Sequence, residues 1–504
     1  MATLGTSVMN KTALHATILG LVACATYVSA LPPSFAFWDT GELQTVAIIL
    51  GIAHPPACPA FILLGWLVAH VVPFGEAAWR VDLMCAIAVA VAVGVLYAVA
   101  RRFEVPPVVA AICTLGFAFA NVTLHDATRA EVQDLSLLFR TLAIFFAIRF
   151  YDSGSPRTLF AAALVTGLAG ATHGIALLLV PALAIVVLAR PEGRSLRSAA
   201  IVAFGVGLGL LPYAYLPLRS AYVAAHALDP TTALGLAAGA SAFWDYDHPA
   251  TIANFIRVLM AADFNVHSGF AGFFDIARYA AFAGAFDARA GAAYGPPGAA
   301  LAAVGFVLAL WSRKPIAIAL VLAAVAPVPY TESYTELQDP DRYYLFPLWC
   351  TAIAIGLAFE RIAALLVARP RSIARTAMTL GLVVSFVVAA PARLEIFAQR
   401  NDRGAARYVA DFKRLVPDGS IVLAEWAYAT PLAYAAYVNH DLGARVVVAA
   451  SPEQYVAHYA RWLRARPIYI VSFDDALALP GYRCRALKRW PYAVYSITSD
   501  RAHS

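Results

Sequence analysis

Two carboxylates three residues apart, Asp39 and Glu42, stand in the stretch Phe35-Ala-Phe-Trp-Asp-Thr-Gly-Glu-Leu43, and His54 follows in His54-Pro-Pro-Ala-Cys-Pro59. On a helical turn that spacing puts both carboxylates on one face. One could serve as a general base while the other orients it or holds a cation. The plainer reading is a pair of acids at the start of a surface helix. Trp38 and the prolines would exclude water, which raises a carboxylate's pKa and makes it a better base. His54, kept extended by Pro55, could bind phosphate, bridge to a carboxylate, or simply sit in a rigid surface turn.

Other polar residues stand out against an apolar chain. Arg129 and Glu131, in His125-Asp-Ala-Thr-Arg-Ala-Glu131, either form an ion pair that fixes helix packing or line a cavity with Asp39. Arg219 ends Tyr213-Ala-Tyr-Leu-Pro-Leu-Arg219, and Arg342 lies in Asp339-Pro-Asp-Arg-Tyr-Tyr344. Both fall on the outer side of the expected topology, where basic residues are unusual. A lipid-linked phosphate is a natural partner for a guanidinium, and snorkelling to the headgroups is the alternative. His173, at Thr172-His173-Gly174, reads as a packed histidine or a ligand-facing one. Trp244 opens the polar run Trp244-Asp-Tyr-Asp-His248.

The chain that must position these residues is 61% hydrophobic and 13% charged over 504 residues, far from the composition of soluble domains. Repeated apolar runs predict an α-helical polytopic membrane protein with about 11 transmembrane helices, at 13–32, 81–100, 106–121, 132–150, 158–173, 174–189, 198–218, 297–312, 315–329, 342–366 and 375–392. Residues 158–189 are split at His173 because one straight helix of that length would overshoot the bilayer. The run after Lys11 is too long for a signal-peptide core, so it reads as a retained helix. Arg101, Arg102, Arg149, Arg157, Arg190, Arg194, Arg197, Arg313, Lys314, Arg361, Arg369, Arg371 and Arg375 alternate with the polar candidates along the chain. That places the N-terminus in the cytoplasm and the C-terminus outside, in a cell membrane. The first outer loop contains short apolar stretches, 43–52 and 61–72, expected to lie along or dip into the membrane and roof a cavity. A third amphipathic stretch, 252–262, reads as an interfacial helix.

From about residue 393 strand-like runs alternate with helical ones, which predicts a small extracytoplasmic α/β domain (393–504) beside a transmembrane module (1–392). Ser451 is expected to cap a helix over 452–465. The six cysteines form no CxxC pair, and only Cys58 with Cys484 could bridge outside. A net charge of +6 does not suggest nucleic acid.

Asp39-Thr-Gly-Glu42 resembles the Asp-Ser-Gly-Glu signature of a polytopic family that includes the animal transmembrane O-mannosyltransferases acting on plexin-type receptors. His54-Pro-Pro-Ala-Cys-Pro59 is similar to its His-Pro-Pro-Gly-x-Pro, Glu131-Val132 to its Glu-Val-Tyr, Thr172-His173 to its Asn-His, Tyr215-Leu-Pro-Leu-Arg219 to its Tyr-x-Pro-x-Arg, and Trp244-Asp245 to its Trp-Gly-Asp. The likeness spans roughly residues 30–350. Ala57, Gln133 and the missing glycine after Trp244 depart from it. The resemblance implies a GT-C-like glycosyltransferase using a polyprenyl-phosphate sugar donor, mannose among the candidates, and a protein or glycan acceptor. Asp39 would be the base, with Glu42 orienting it or helping to hold Mg2+ or Mn2+ if an ion is used. His54, Arg129, Glu131, His173, Arg219, Trp244 and Arg342 would line the substrate site. A lipid or glycan transporter using Asp39 and Glu42 as an ion relay is the other class. A visible internal repeat would have favoured it.

Overall fold

Apolar runs broken by Pro, Gly and basic residues become helices in the computed structural model, which describes residues 2–240, 242–262, 274–334, 339–365, 371–389 and 391–500. Helix occupies most of the described residues in each of the eleven stretches expected to be a membrane helix. By length and composition, five described helices could cross a membrane: Asn10–Ala30, Ala77–Arg102, Ile276–Trp311, Pro315–Ser333 and Pro340–Leu365. The number is six if Leu196–Gly209 and Leu211–Ala225 are one broken span. Pro107–Ala118, Gly174–Leu188 and Thr376–Val387 are shorter apolar helices. Val132–Ser153 carries Asp134, Arg140 and Arg149, which dilute its apolar character. Arg369 of the basic series lies outside the described residues.

The chain divides into two compact units. The first comprises Met1–Leu31, Cys85–Pro212 and Phe264–Arg400, and among its described residues the regular elements are all helices. Its helices satisfy buried polar side chains on neighbouring backbones, as a bilayer requires: Tyr27 donates to the Ala118 carbonyl at 2.8 Å, Trp349 to that of Ala92 at 3.0 Å and Tyr294 to that of Leu348 at 2.7 Å. Small residues let helices approach closely; a Cβ on Gly167, in Pro156–Thr172, would come 2.3 Å from the Val206 carbonyl oxygen. The split at His173 is present: Pro156–Thr172 ends there, the residue is extended, and a 3₁₀ turn Gly174–Leu179 follows. A longer helix, Tyr279–Trp311, is interrupted at Gly295 (φ 74°) just before Pro296-Pro297.

The second unit gathers Pro32–Met84, Tyr213–Asp263 and Asn401–Ser504. Its first two helices, Trp38–Ile49 and Pro59–Val71, are the short apolar stretches of the first loop, and Ile252–Leu259 is the amphipathic one. The C-terminal residues form a five-stranded sheet: β1 (Ile421–Ala424), β2 (Val446–Ala449), β3 (Ile468–Ser472), β4 (Tyr482–Lys488) and β5 (Ala493–Ser499), in the order β2-β1-β3-β5-β4. β1 pairs in parallel with β2 and β3, with Ile421 opposite Val446 and Ile468, and β5 runs antiparallel to β3 and β4. β1 and β3 are almost wholly buried, as central parallel strands are. Leu423, Ile470, Tyr459, Trp462 and Tyr495 are among the residues of the core.

Two expectations need correction here. Ser451 does not cap a helix: residues 452–455 form turns, and the helix Val456–Trp462 begins after Tyr455 without a side-chain cap. The turn keeps Ser451 engaged through its carbonyl, which accepts the Gln454 N–H at 3.3 Å. All six cysteines are free, Cys58 and Cys484 included.

Backbone conformation explains two positions of the motifs. Ala57 sits at φ 64°, a left-handed conformation that costs a residue with a Cβ about 1–2 kcal/mol and that the glycine of the resembling motif would adopt freely. Gly41 lies where a Cβ would come 2.3 Å from the Ala36 carbonyl oxygen and 3.0 Å from Thr430 Oγ1 of the helix Trp426–Tyr437. Ala57→Gly is therefore expected to stabilise the protein by about 0.5–1 kcal/mol. Gly41→Ala should destabilise it by about 1–3 kcal/mol. Thermal unfolding of the purified protein in detergent would check both.

Candidate functional site

The helix Trp38–Ile49 begins at a strained residue. Trp38 has φ 57°, a conformation that non-glycine residues adopt only when their surroundings impose it. Asp39 follows in the first turn and Glu42 one turn on, so the two carboxylates do share a face. Asp39 Oδ1 accepts a hydrogen bond of 2.9 Å from the indole N–H of Trp426, the first residue of the helix after β1. Glu42 is fully buried. Its Oε1 accepts the backbone N–H of His54 at 2.8 Å, and its Oε2 meets His54 Nδ1 in a very short contact. Burial pushes the Glu42 carboxyl above its ordinary pKa; His54 opposes that and the charge of Asp39 adds to it. Ligand atoms of Asp39, Glu42 and His54 all lie within 4.8 Å of one another.

Aromatic and polar neighbours hold this group. The His54 ring stands edge-on to Trp426 at 6.0 Å, and Phe243 stacks on the same indole at 5.9 Å with 4° between the planes. Gln44, on the same helix, donates to both oxygens of Asp82 (2.9 and 3.0 Å) and accepts the Ala36 N–H. Arg219 is committed to the opposite end of the helix: its guanidinium donates to the carbonyls of Leu50 and, at 2.9 Å, of Ile49. A cation there complements the helix dipole. Trp244 lies 6.0 Å from that guanidinium and edge-on to Tyr437.

The helical unit carries its own charged group. Glu131 caps Val132–Ser153, accepting the Gln133 N–H at 3.2 Å, and also accepts from Arg342 at 3.2 Å. Arg129 donates to Asp126 and to Asp339, both at 2.7 Å, and lies 3.9 Å from Glu131. Burial alone would lower the Arg129 pKa, but Asp126, Glu131 and Asp339 hold it above the ordinary value. Burial raises Asp339 in turn, and Arg129 brings it below the usual carboxylate range. His173 accepts the Ile175 N–H at 3.2 Å and stands edge-on to Tyr343, whose ring lies 5.5 Å from the Arg342 guanidinium. His125, Asp126 and Asp339 form a second set of ligand-type atoms within 4.8 Å of one another.

Asp39, Glu42, His54, Arg219 and Trp244 are thus gathered in one unit, and Arg129, Glu131, His173 and Arg342 in the other. Sequence reasoning missed Trp426, Asp126 and Asp339 as members. Asp126 and Asp339 were visible as acids within the quoted motifs. The signal for Trp426 was its place at the carboxyl end of a parallel strand, where α/β sites form.

The model of the N-terminal domain of protein O-mannosyl-transferase TMEM260 matches residues 39–196, beginning at Asp39. The mouse protein O-mannosyl-transferase TMEM260 is 32% identical over 203 residues, which are 39% of this chain and 29% of that protein. The Dictyostelium discoideum protein of the same name is 24% identical over 144 residues, 28% of this chain and 18% of that one. The chain therefore matches less than a third of the length of these curated relatives. Crystal structures of ArnT from Cupriavidus metallidurans share the fold over nearly the whole chain. The apo form gives a TM-score of 0.53 at 15% identity, covering 98% of each chain. The form bound to undecaprenyl phosphate gives 0.53 at 15%, covering 95% of this chain and 97% of that one. The GT-C-like fold read from the motifs is borne out, and so is the family resemblance over residues 39–196, which hold the Asp39–Glu42, His54–Pro59, Glu131-Val132 and Thr172-His173 motifs.

The indole N–H on Asp39 predicts a specific loss. Trp426→Phe keeps a ring against Phe243 but removes the donor. A hydrogen bond to a charged group contributes about 1.5–3 kcal/mol of stability, so Trp426→Phe is expected to destabilise the protein by about that much, with a lower thermal midpoint. Thermal unfolding of wild type and Trp426→Phe, side by side, would check it.

Proposed function

We propose that this chain, with a TMEM260-type N-terminal region on a GT-C-like fold, is a membrane glycosyltransferase that moves a sugar from a polyprenyl-phosphate donor to an acceptor hydroxyl on the outer face of a cell membrane. The observation that carries the reading is the grouping of Asp39, Glu42 and His54 at the start of one helix, with Trp426 donating to Asp39. Support for the donor class comes from the fold neighbour described as bound to undecaprenyl phosphate. Support for a sugar transfer to protein, with mannose as the sugar, comes from the names of the curated relatives.

In this mechanism the acceptor hydroxyl gives its proton to Asp39 as its oxygen attacks the anomeric carbon. The bond from that carbon to the phosphate oxygen breaks, and polyprenyl phosphate leaves with the bonding pair. A single displacement assisted by one base inverts the anomeric centre. Glu42, buried and clamped to His54, keeps the first two turns of the helix in register so that Asp39 meets the hydroxyl. Trp426 fixes which Asp39 oxygen points to the acceptor. Arg129 and Arg342 belong to the helical unit, where they are paired with Asp126, Asp339 and Glu131; a phosphate reaching that unit would take over some of those contacts. Arg219 serves the reaction by holding the far end of the helix. If a divalent ion is used, Asp39, Glu42 and His54 are the ligands, and an imidazole among them suits Mn2+ better than Mg2+; the ion would supply positive charge for the leaving phosphate. In this reading the N-terminus is in the cytoplasm, residues 1–392 are the transmembrane module that carries Asp39, and residues 393–504 lie outside and contribute Trp426.

The test is donor turnover by the full chain in lipid, with a panel of polyprenyl-phosphate sugars and release of free polyprenyl phosphate as the readout. Asp39→Asn, folded by thermal melt, is expected to reduce release at least a hundredfold. Release that Asp39→Asn leaves intact would remove Asp39 as the base, and a chain that consumes none of the donors would overturn the transferase reading.

A further inference from the structure

The α/β sheet changes direction at β1. From β1 the chain passes through the helix Trp426–Tyr437 to β2 on one side, then crosses to β3 on the other, in the order β2-β1-β3. β1 and β3 are parallel neighbours, with Ala424 opposite Val471, so their carboxyl ends lie side by side while the segments that follow part. Such a divergence leaves a crevice in α/β sheets. Here one side chain spans it. Glu425, the residue after β1, accepts the Ser472 hydroxyl at 2.7 Å on one carboxylate oxygen and the Phe473 N–H at 2.9 Å on the other. Its own N–H donates to the Val471 carbonyl at 3.1 Å, which carries the ladder one residue beyond β1.

Glu425 is the N-cap of the helix Trp426–Tyr437, yet its side chain gives that helix no capping bond. N-caps ordinarily turn a short side chain back onto the first turn. This carboxylate instead ties the start of the helix to the end of β3. What it ties are two supports of Asp39. Trp426, the next residue, donates its indole N–H to Asp39 at 2.9 Å. Phe473, whose N–H Glu425 holds, stacks on Trp38, the strained residue before Asp39, with centroids 5.7 Å apart and 20° between planes. Phe243 and His54 set the plane of the Trp426 indole from its face and its edge, but the root of that side chain is set at Glu425. An indole is a long lever. A small turn of the backbone at its Cα swings Nε1 off the carboxylate, and hydrogen bonds weaken steeply with angle.

We propose that Glu425 is a positioning residue for Asp39: by bridging the carboxyl ends of β1 and β3 it fixes Trp426 and Trp38, and through them the direction of the Asp39 carboxylate. Its role is hydrogen bonding rather than charge. A carboxamide in its place accepts the Phe473 N–H and donates to Ser472 Oγ, so Glu425→Gln keeps the bridge. A methyl group cannot, so Glu425→Ala opens it. The proposal rests on the reading of Asp39 as the base and adds the residue that aims it.

The test reads the indole itself, so it does not depend on turnover. The full chain is placed in nanodiscs with the indole nitrogens of its nine tryptophans isotope-labelled for NMR. The Trp426 Nε1–H resonance is assigned by its absence in Trp426→Phe, and Asp39→Ala marks where it falls once the bond is gone. Glu425→Ala is expected to move it at least half of that way, and Glu425→Gln to leave it near its wild-type place. If Glu425→Ala does not fold, Ser472→Ala removes one of the two bonds and decides by a shift in the same direction. A resonance that stays put in the folded variant overturns the proposal, because Phe243 and His54 then hold the indole unaided. So does an equal shift in Glu425→Gln and Glu425→Ala, since the effect is then one of charge. Donor turnover is measured alongside. In Glu425→Ala kcat is expected to fall about ten- to a hundredfold with KM within about twofold, and an unchanged kcat with a displaced indole also overturns the proposal. A wild type that consumes no donor sinks the transferase reading, while the resonance still decides whether Glu425 positions Trp426 on Asp39.

Discussion

A carboxylate with no exposure to water is costly to keep unless another group meets it, and Glu42 is met twice by one residue. His54 gives its backbone N–H to one oxygen and places its ring nitrogen against the other. Both contacts come from a histidine that opens a turn, its carbonyl accepting the Ala57 N–H at 2.8 Å. The clamp ties the second turn of the helix Trp38–Ile49 to a loop twelve residues on. Loosening it would leave a buried acid without partners, so the local chain has little freedom to take another arrangement. Everything proposed for Asp39 depends on that fixed frame, because Asp39 is one turn away on the same face.

The helix is held along its length by means that differ at each point. At its start Trp38 takes a strained backbone conformation and Asp39 receives an indole N–H. In its first turns Gly41 gives up a side chain so that the Ala36 carbonyl and Thr430 can approach. At its end Arg219 satisfies two carbonyls that the helix itself leaves open. A carboxylate at the positive end and a guanidinium at the negative end both agree with the dipole. The helix is short and mostly apolar, so these polar contacts, rather than its own propensity, orient it.

How much of this the sequence carried depended on how far apart the partners lie in the chain. Asp39, Glu42 and His54 fall within sixteen residues; spacing put the two carboxylates on one face, and a bridge to a carboxylate was one of the readings open for His54. The break at His173 was readable from length, since an apolar run too long for a bilayer has to bend. Trp426 was marked only by its place at the carboxyl end of a strand; its contact with Asp39 crosses 387 residues, and only the fold brings the two together. β4 and β5 were missed for another reason. β4 alternates half-buried Tyr482, Cys484 and Ala486 with exposed Arg483, Arg485 and Leu487, and such a weak pattern reads as loop until β5 is seen to pair with it. Ser451 shows the converse error: Ser451-Pro452 with Gln454 satisfied a local capping rule, yet the chain spends those residues on turns before the helix begins.

Arg129 and Arg342 bring out what pairing means for recognition. In an apolar helical unit a bare guanidinium is expensive, and both are given carboxylates: Asp126 and Asp339 for one, Glu131 for the other. An anionic group arriving there does not meet free positive charge. It has to displace carboxylates that already satisfy the donors, so its net gain is the difference between two sets of charge-assisted bonds. Such a site favours an anion with more oxygens, arranged to fit two forks at once, over a simple carboxylate or chloride. If the proposed donor phosphate binds there, the pairing that stabilises the protein would also sharpen the choice of ligand, because only a group that outcompetes the resident acids on geometry would displace them.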